Sequence, residues 1–377
     1  MPESSEIDPA ALPGAIDALP GIDAVRRLAE RAPTYLVGGV VRDLLLGAEG
    51  VDLDIAIEGN ADALADVPGY RPERDEHFLT GKLEAGGREI DVAQTRAESY
   101  PRPGALPEVR PASIGEDLAR RDFSVNAMAY PVADDAELLD PHGGLDDLRA
   151  GRLRVLHERS FIDDPTRALR AARYAARFGF ELDPGTANLL AEADLSTVSE
   201  DRIQNELRRI AAEDDPARAL RLLAGWGVMP TLDAGAPDRV AEVARLASEP
   251  PWAGWVDREL AVMLAIVRPL PQIRELVSAE PERPSDAFRL AQSWDPAQLL
   301  VARVLGAEWL DDYAEKWRGV TLEIAGEDLI GAGVAEGPAI GHGLDAALSG
   351  KLDGELSGRD QELRIALAAA RGELPED

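Results

Sequence analysis

The sequence predicts a multidomain α+β protein in which an α/β head with a mixed sheet precedes an all-helical remainder. In the first part of the chain, short apolar segments with the alternation of strands follow short helical segments. Farther along, apolar residues recur at helical spacing, and turns containing Gly, Pro and Asp separate the segments. We expect a head over residues 1–145, a helical neck over 146–212, a helical body over 213–320 and a helical tail over 321–377.

The elements of the head follow from periodicity and turn signals. An amphipathic helix is predicted before Pro33, because apolar side chains recur at helical spacing between residues 16 and 28. We then predict strands over 35–37, 51–57, 77–83 and 89–92, and helices over 41–47 and 60–66. In this order the strands place Asp52, Asp54 and Asp91 on one mixed sheet.

Composition restricts the class of protein. The chain has 377 residues and no cysteine, which excludes disulfides, zinc–thiolate sites and thiol catalysis. No apolar run approaches the roughly 20 residues that span a bilayer, and the first residues lack the pattern of a signal peptide. We therefore expect a cytoplasmic protein without a membrane contact, and no feature indicates a stable protein partner.

The net charge is strongly acidic, at −30, but arginine is locally concentrated. Only three of the 40 basic residues are lysines. Eight arginines lie between Arg149 and Arg177, against three acidic residues. Because guanidinium groups pair well with phosphates, this cluster predicts contact with RNA. The alternative is that these arginines serve internal salt bridges.

A glycine pair is followed one helical turn later by an arginine. Gly38 and Gly39 lack Cβ, so we expect the backbone there to approach a bulky anion. Arg42 would add a forked cation for a phosphate. This segment is therefore a candidate phosphate site.

Two aspartates follow the glycine segment at alternating positions. On a strand, Asp52 and Asp54 share one face, with Leu53 and Ile55 behind them. Two carboxylates beside a phosphate site suit the binding of Mg²⁺ on a nucleoside triphosphate. The sequence therefore predicts that Asp52 and Asp54 are metal ligands in a nucleotidyl transfer, and Asp91 is a third acidic candidate.

The run from residue 120 to 128 adds polar side chains suited to a nucleotide. Arg120 and Arg121 suit a triphosphate. Asp122 can orient an arginine, and Asn126 offers an amide to a ribose hydroxyl. The apolar residues between them indicate a packed segment.

A second arginine-rich run starts at Asp164. We predict that Asp164 caps a helix whose first residue is Pro165. Arginines then recur along this helix, mostly on one face. The nucleotide-binding candidates on it are Asp164, Arg167, Arg170 and Arg173.

In this order, these motifs resemble those of one family. The glycine pair with its VRD-LLG continuation and D-L-D, the RRDFSVNAM run, the DPHGGLDDL turn at residue 140 and the DDPTR run are similar to motifs of class II tRNA nucleotidyltransferases, the CCA-adding enzymes. Bacterial poly(A) polymerases, in the same polymerase β-like superfamily, share them. The resemblance covers roughly residues 20 to 370.

The resemblance implies a function and roles for several residues. It implies a palm-like head and Mg²⁺-dependent addition of CMP and AMP from CTP and ATP to the 3′ end of tRNA. It implies that Asp91 completes the acidic cluster with Asp52 and Asp54. It also implies that Asp164 and Arg167 form a protein template that hydrogen-bonds to the incoming base.

Sequence features separate the activities within this family. Residues 75–81 are acidic and lack the basic signature of bacterial poly(A) polymerases, which disfavours that activity. Residues 94–109 retain a loop that is shortened in CC-adding enzymes. We therefore expect CCA addition first, with A-only and then CC-only addition as alternatives. An inactive RNA-binding relative is disfavoured, because Asp52, Asp54 and Asp91 are all present.

Overall fold

The computed structural model describes residues 7–48, 50–59, 64, 66–74, 79–85, 87–229, 233–267 and 273–373. The chain divides into two compact units, Met1–Thr231 and Leu232–Asp377. The boundaries expected at residues 145, 212 and 320 are finer than this division and stay predictions.

The first unit contains all the described strands and the helices around them. Its strands are β1 Thr34–Val37, β2 Asp54–Ile57, β3 Tyr70–Arg74, β4 Leu79–Ala85, β5 Arg88–Gln94, β6 Arg96–Ser99, β7 Glu108–Pro111, β8 Ala129–Pro131, β9 Arg152–Leu153 and β10 Glu181–Leu182. Its α-helices are α1 Leu12–Asp17, α2 Ile22–Ala29, α3 Gly39–Leu45, α4 Ile114–Ala119, α5 Gly144–Arg149, α6 Ser160–Asp163, α7 Thr166–Phe178, α8 Pro184–Leu189, α9 Glu200–Ala211 and α10 Pro216–Trp226.

The second unit is helical in its described part. Its α-helices are α11 Ala236–Leu246, α12 Arg258–Ile266, α13 Ile273–Ser278, α14 Pro284–Ala291, α15 Pro296–Val304, α16 Trp309–Asp312, α17 Gly326–Gly331, α18 Pro338–Leu352 and α19 Arg359–Ala370. A π-helical turn, Tyr313–Trp317, follows α16. Trp252 is fully buried, and a separate apolar cluster joins α17, α18 and α19 through Leu329, Ala347 and Ala366.

A six-stranded mixed sheet forms the centre of the head, in the order β3-β4-β5-β2-β1-β8. Strands β2 and β5 are parallel, and the other neighbours are antiparallel. Leu36 of β1 pairs with Ile55 of β2, so the end of β1 lies beside the start of β2. The Gly38 turn, at the end of β1, and Asp54, at the start of β2, therefore lie at the same end of these neighbouring strands.

The predicted fold class is confirmed, while several element bounds differ. Strand β2 begins at Asp54, so Asp52 lies in the segment before the strand and not on it. Short parallel strands β9 and β10 interrupt the region expected to be all helical. Strands β3, β6, β7 and β8 were not predicted. Most of the helix expected over 60–66, and the start of the strand expected over 77–83, lie outside the described residues.

Among the described residues, no helix combines the length and the apolar character needed to cross a membrane.

Candidate active site

The predicted site residues meet around one cavity of about 680 Å³ in the first unit. Nine arginines and six carboxylates line it, so the local charge is positive although the chain as a whole carries −30. The cavity wall includes twelve of the fourteen residues that the sequence singled out: Gly39, Arg42, Asp52, Asp54, Arg120, Arg121, Asp122, Asn126, Asp164, Arg167, Arg170 and Arg173. Gly38 and Asp91 are not part of this wall.

Asp52 and Asp54 form the acidic part of the cavity. Ile55 behind Asp54 is buried, which fixes the strand that carries this carboxylate. Asp54 is exposed to solvent, but the protein around it displaces part of its hydration, and this desolvation raises its pKa; the Arg121 charge opposes the shift, and the charges of Asp91 and Asp52 add to it. The carboxylates thus repel one another, and a bound cation would relieve this repulsion.

Asp91 lies near Asp54, but its carboxylate is paired with Lys82. It stands opposite Asp54 in the parallel pairing of β2 and β5. Its carboxylate forms an ion pair with Lys82, and two-thirds of the side chain is exposed. Asp91 therefore acts on the cavity through its charge in this arrangement.

At the Gly38 turn, the group that lies close to the backbone is the side chain of Arg121. The sequence had led us to expect a bound anion there. Gly38 has φ +68° and ψ −122°, a conformation that side chains rarely adopt. A Cβ placed on Gly38 would overlap Nη1 of Arg121. The missing side chain of Gly38 therefore makes room for Arg121, while Gly39 lies beside Arg42.

Arg42 has protein partners for every part of its guanidinium group. Nε and Nη2 donate to the carboxylate of Asp43 at 2.8 and 2.9 Å, and Nη1 donates to Oδ1 of Asn126 at 2.5 Å. The same group lies over the rings of Tyr174 and Phe178, at 5.3 and 4.6 Å from their centroids. These contacts join α3 to α7, so Arg42 has a structural task beside any contact with phosphate.

Arg120 and Arg121 share one buried carboxylate. Nε and Nη2 of Arg120 donate to Oδ1 of Asp117 at 3.0 and 2.8 Å. Nε and Nη2 of Arg121 donate to Oδ2 of Asp117 at 3.3 and 2.9 Å. Nη1 of Arg120 also donates to Glu98 at 2.8 Å. The two guanidinium groups are therefore held side by side in the cavity wall.

Asp122 and Asn126 form a second buried network. Oδ1 of Asp122 accepts from Nδ2 of Asn126 at 2.9 Å and from the Phe123 amide at 2.8 Å. Oδ2 lies 2.9 Å from Nη2 of Arg170, outside hydrogen-bond geometry. Burial would raise the pKa of Asp122, but the charges of Arg170 and Arg167, together with the hydrogen bonds from Asn126 and the Phe123 amide, outweigh it and hold that pKa below its usual range. Asp122 thus forms an ion pair with Arg170.

Asp164 and Arg167 lie close together at the start of α7. The helix begins at Thr166 with Pro165 as its N-cap, so the prediction that Asp164 caps it is wrong; Oδ1 of Asp164 instead accepts from the amide of Thr166, the first helical residue, at 3.1 Å. Oδ1 also accepts from Nη2 of Arg202 at 2.8 Å. Arg167 donates to Oγ of Ser160 at 2.5 Å and to the carbonyl of Arg120 at 2.8 Å. Both side chains are buried and both line the cavity.

The eight arginines between residues 149 and 177 all have protein partners. For example, Arg173 lies 3.4 Å from Glu213 and 3.8 Å from Glu206, and Arg177 lies 3.9 Å from Glu213. The remaining members contact carboxylates, a hydroxyl or backbone carbonyls. Each arginine of this cluster thus has an internal partner, and its contact with RNA stays a prediction.

Several residues of the cavity were missed by the sequence reasoning. The hairpin of β6 and β7 supplies Arg96, Glu98 and Tyr100 to the wall. Burial, aided by Glu98, raises the pKa of Tyr100 to about 12. Asp117 was detectable, because an acid three and four residues before two arginines on a helix can reach both. Arg202 was not, since it approaches Asp164 from a helix distant in sequence.

No group of three or more His, Asp or Glu side chains converges as a metal centre within the described part of the chain. The cavity carboxylates Asp52 and Asp54 are a pair. Magnesium is commonly held by one or two carboxylates together with substrate phosphates and water, so a pair fits this type of ion.

Comparisons with known proteins agree with this site. Residues 34–154 match the family described as the Poly A polymerase head domain. The CC-adding tRNA nucleotidyltransferase of Deinococcus radiodurans is 35% identical over 373 residues, which cover 94% of each chain. The A-adding tRNA nucleotidyltransferase of Geobacter sulfurreducens is 32% identical over 397 residues; these cover 90% of this chain and 45% of that relative, so the chain spans about half its length.

Solved structures give the same result over the full length. The Thermotoga maritima CCA-adding enzyme complexed with tRNA has a TM-score of 0.71 and 28% identity, over 96% of both chains. The chain therefore belongs to the tRNA nucleotidyltransferase family.

Proposed function

We propose that the chain adds CMP and AMP to the 3′ end of tRNA, from CTP and ATP, with release of pyrophosphate. A series of electrostatic interactions and hydrogen bonds, which runs from the acidic pair to the base site, supports this proposal. Asp54 lies in the field of Arg121, Asp117 joins Arg121 to Arg120, and the Arg120 carbonyl accepts from Arg167. One cavity thus combines carboxylates for a metal, arginines for phosphates and a polar pair for a base.

We assign Asp52 and Asp54 to a divalent metal, with Mg²⁺ as the ion that fits. Enzymes of this family typically use a divalent metal. When bound, the ion supplies activation of the attacking 3′-hydroxyl and neutralisation of the phosphate charge. The exposed edge of Asp54 lets it face the ion, while its neighbours Leu53 and Ile55 anchor it in the core. The Lys82 ion pair favours an electrostatic role for Asp91 over that of a general base.

The remaining candidates divide between the phosphates and the sugar. Arg120 and Arg121 bind the triphosphate. Asn126 already donates to Asp122 and accepts from Arg42, so its contact with a ribose hydroxyl requires it to share these partners. Gly38, Gly39 and Arg42 shape this wall, and Arg170 and Arg173 add positive charge at its far side.

We assign base selection to Asp164 and Arg167. Among the described contacts, the hydrogen bonds to the Asp164 carboxylate all end on Oδ1, which leaves Oδ2 as an acceptor for a base. Both C and A present an exocyclic amine beside a ring-nitrogen acceptor. An acid that accepts from the amine and an arginine that donates to the ring nitrogen therefore favour C and A over U and G. Because the proposed substrate is tRNA, we also propose that the protein acts in the cytoplasm.

The retained loop favours CCA addition over CC-only addition. Residues 94–109 run from the end of β5 through β6 and its loop into β7, and Arg96, Glu98, Tyr100 and Pro107 from this segment line the cavity. A-only and CC-only addition are the alternatives, because the Geobacter relative is an A-adding enzyme and the Deinococcus relative a CC-adding enzyme, and they align with 90% and 94% of this chain.

Three tRNA substrates distinguish these activities. They end at the discriminator nucleotide, after the first C and after the second C, and each is incubated with CTP, ATP or both. We expect the first to gain CCA when both nucleotides are present. Addition of A to the third substrate alone would show an A-only enzyme, and addition of two C without A would show a CC-only enzyme. A long A tail on unrelated RNA would overturn the proposal.

We expect Gly38→Ala to lower the free energy of unfolding by about 1–3 kcal/mol, because the backbone conformation is strained for alanine. It should also raise the KM for CTP and ATP, since the added Cβ displaces Arg121. Thermal unfolding and steady-state kinetics measure the two effects.

Gly47→Ala is the matched control for this change. Gly47 has φ +70°, but a Cβ there meets no atom within 4 Å. This variant should lose stability without a change in KM. An equal rise in KM for both variants would show that the Arg121 contact at Gly38 is unimportant.

A further inference from the structure

Asp117 is a buried acid that contacts both phosphate-site arginines. It lies on α4, whose start is fixed by a capping box of Ser113 and Glu116. Its side chain is 2% exposed, and its two oxygens are divided between the two guanidinium groups. Oδ1 also accepts from the Arg96 amide at 3.2 Å. Asp117 therefore connects α4, the β6–β7 hairpin and both arginines.

The position of Arg121 is fixed from a second side. The backbone of Gly38 leaves no room for a Cβ beside Nη1 of Arg121. Arg121 is thus held between the Asp117 carboxylate and the glycine turn that precedes α3. Two independent features of the fold, a buried acid and a glycine in a conformation reserved for glycine, act on the same side chain.

The shared carboxylate also reduces the electrostatic repulsion between the two arginines. Two adjacent guanidinium groups repel each other, and one carboxylate between them offsets part of this repulsion while the pair keeps a net positive charge. A guanidinium group has five N–H donors. Arg121 uses Nε and one N–H of Nη2 for Asp117, so its remaining donors are available to a ligand among the described contacts.

We propose that Asp117 is the positioning residue that holds Arg120 and Arg121 as a unit for a polyphosphate, the tail of the nucleotide and the pyrophosphate that leaves. This inference rests on the proposed function for its ligand. Asp117 does not line the cavity and acts through the arginines. A pair of fixed forks suits two linked phosphate groups better than one, because each fork engages one phosphate in a bidentate manner.

The test uses the full chain and inorganic pyrophosphate as the probe, with binding measured by calorimetry in Mg²⁺. In Asp117→Asn, one oxygen becomes an NH₂ group that faces a guanidinium, so one arginine loses its acceptor. We expect pyrophosphate binding to weaken about tenfold or more, from the loss of charge-assisted hydrogen bonds. The KM for CTP and ATP should rise in parallel, while the KM for tRNA stays near its wild-type value.

Glu116→Gln is the control, because Glu116 is exposed, adjacent in sequence and paired with Arg110. It should bind pyrophosphate as the wild type does. Arg121→Lys is a second route, since lysine keeps the charge but cannot form the paired contact with Asp117. If Asp117→Asn does not fold, an unchanged pyrophosphate affinity in Arg121→Lys would overturn the proposal.

The outcomes separate this inference from the proposed function. If the wild-type chain adds no nucleotide to tRNA, the proposed function is contradicted, whether or not the chain binds pyrophosphate. An active wild type, together with folded Asp117→Asn that binds pyrophosphate equally well, overturns the inference alone. A parallel rise in the KM for tRNA would also overturn it, because it would show a general distortion of the head.

Discussion

Replacing Asp54 or Asp52 with alanine is expected to abolish nucleotide incorporation while tRNA binding stays nearly intact. Both carboxylates line the cavity, and they are the pair that we assign to the metal. Loss of a metal ligand costs several kcal/mol of transition-state stabilisation, which corresponds to a rate loss on the order of 10³-fold or more. The measurement is single-turnover incorporation of labelled CMP, with tRNA affinity determined separately.

Asp91→Asn is the informative comparison for this experiment. Because Asp91 pairs with Lys82 and stands outside the cavity wall, its loss should have a much smaller effect than that of Asp54. A general base contributes about 10²–10⁴-fold to a rate. A loss of that size in Asp91→Asn would assign the base role to Asp91, and near-full turnover in Asp54→Ala would refute the metal assignment.

Asp164→Ala is expected to lower the use of CTP and ATP and to narrow the preference for them over UTP and GTP. The free oxygen of Asp164 and the guanidinium of Arg167 meet one base edge in our proposal. Breaking a buried polar pair leaves a group unsatisfied and costs roughly 1–3 kcal/mol, or about five- to 150-fold in discrimination. The measurement is kcat/KM for all four nucleotides in the variant and the wild type.

Asp164 also accepts hydrogen bonds from Thr166 at the start of α7, so the effect of losing such a local contact has to be measured on its own. Asp183 caps α8 by accepting from the amides of Gly185 and Thr186 at 3.0 and 3.3 Å, and it does not line the cavity. Asp183→Ala should lower stability without a change in nucleotide preference. If Asp164→Ala likewise keeps the wild-type ratios between nucleotides, Asp164 has only a structural role and is not part of the base site.

The local chemistry of this site was readable from the sequence because it is concentrated in short runs. Asp52 and Asp54 stand two residues apart, and Arg120 and Arg121 are adjacent, so each run contains its own functional pair. The mixed sheet was also predictable, since a helix, α3, separates β1 from β2, while β5 follows β4 after two residues. The exact start of β2 was not, because Val51 and Leu53 continue the apolar alternation ahead of the first paired residue.

The partners of these side chains depend on contacts distant in sequence. The sequence suggests that Arg42 and Gly38 serve an anion, whereas the fold supplies Tyr174 to the first and Arg121 to the second. Each contact joins residues about 80 or more positions apart in the chain. The periodicity of helices and strands relates only residues a few positions apart, so it could not predict these contacts. Part of the arginine cluster shows the same effect, since Arg170 pairs with Asp122 and Arg173 with Glu206 and Glu213.

Two guanidinium groups lie over the ring of Tyr174, Arg42 at 5.3 Å and Arg173 at 4.5 Å from its centroid. The Arg42 contact crosses the boundary expected at residue 145 and joins α3 to α7. Under the proposed CCA addition, we expect the two helices to stay together from one nucleotide to the next. Accommodating a different base is then a matter of side-chain rotations and loop motion, on the picosecond-to-microsecond scale, and not of slower hinge motion. The time between successive additions should accordingly be set by chemistry or by pyrophosphate release.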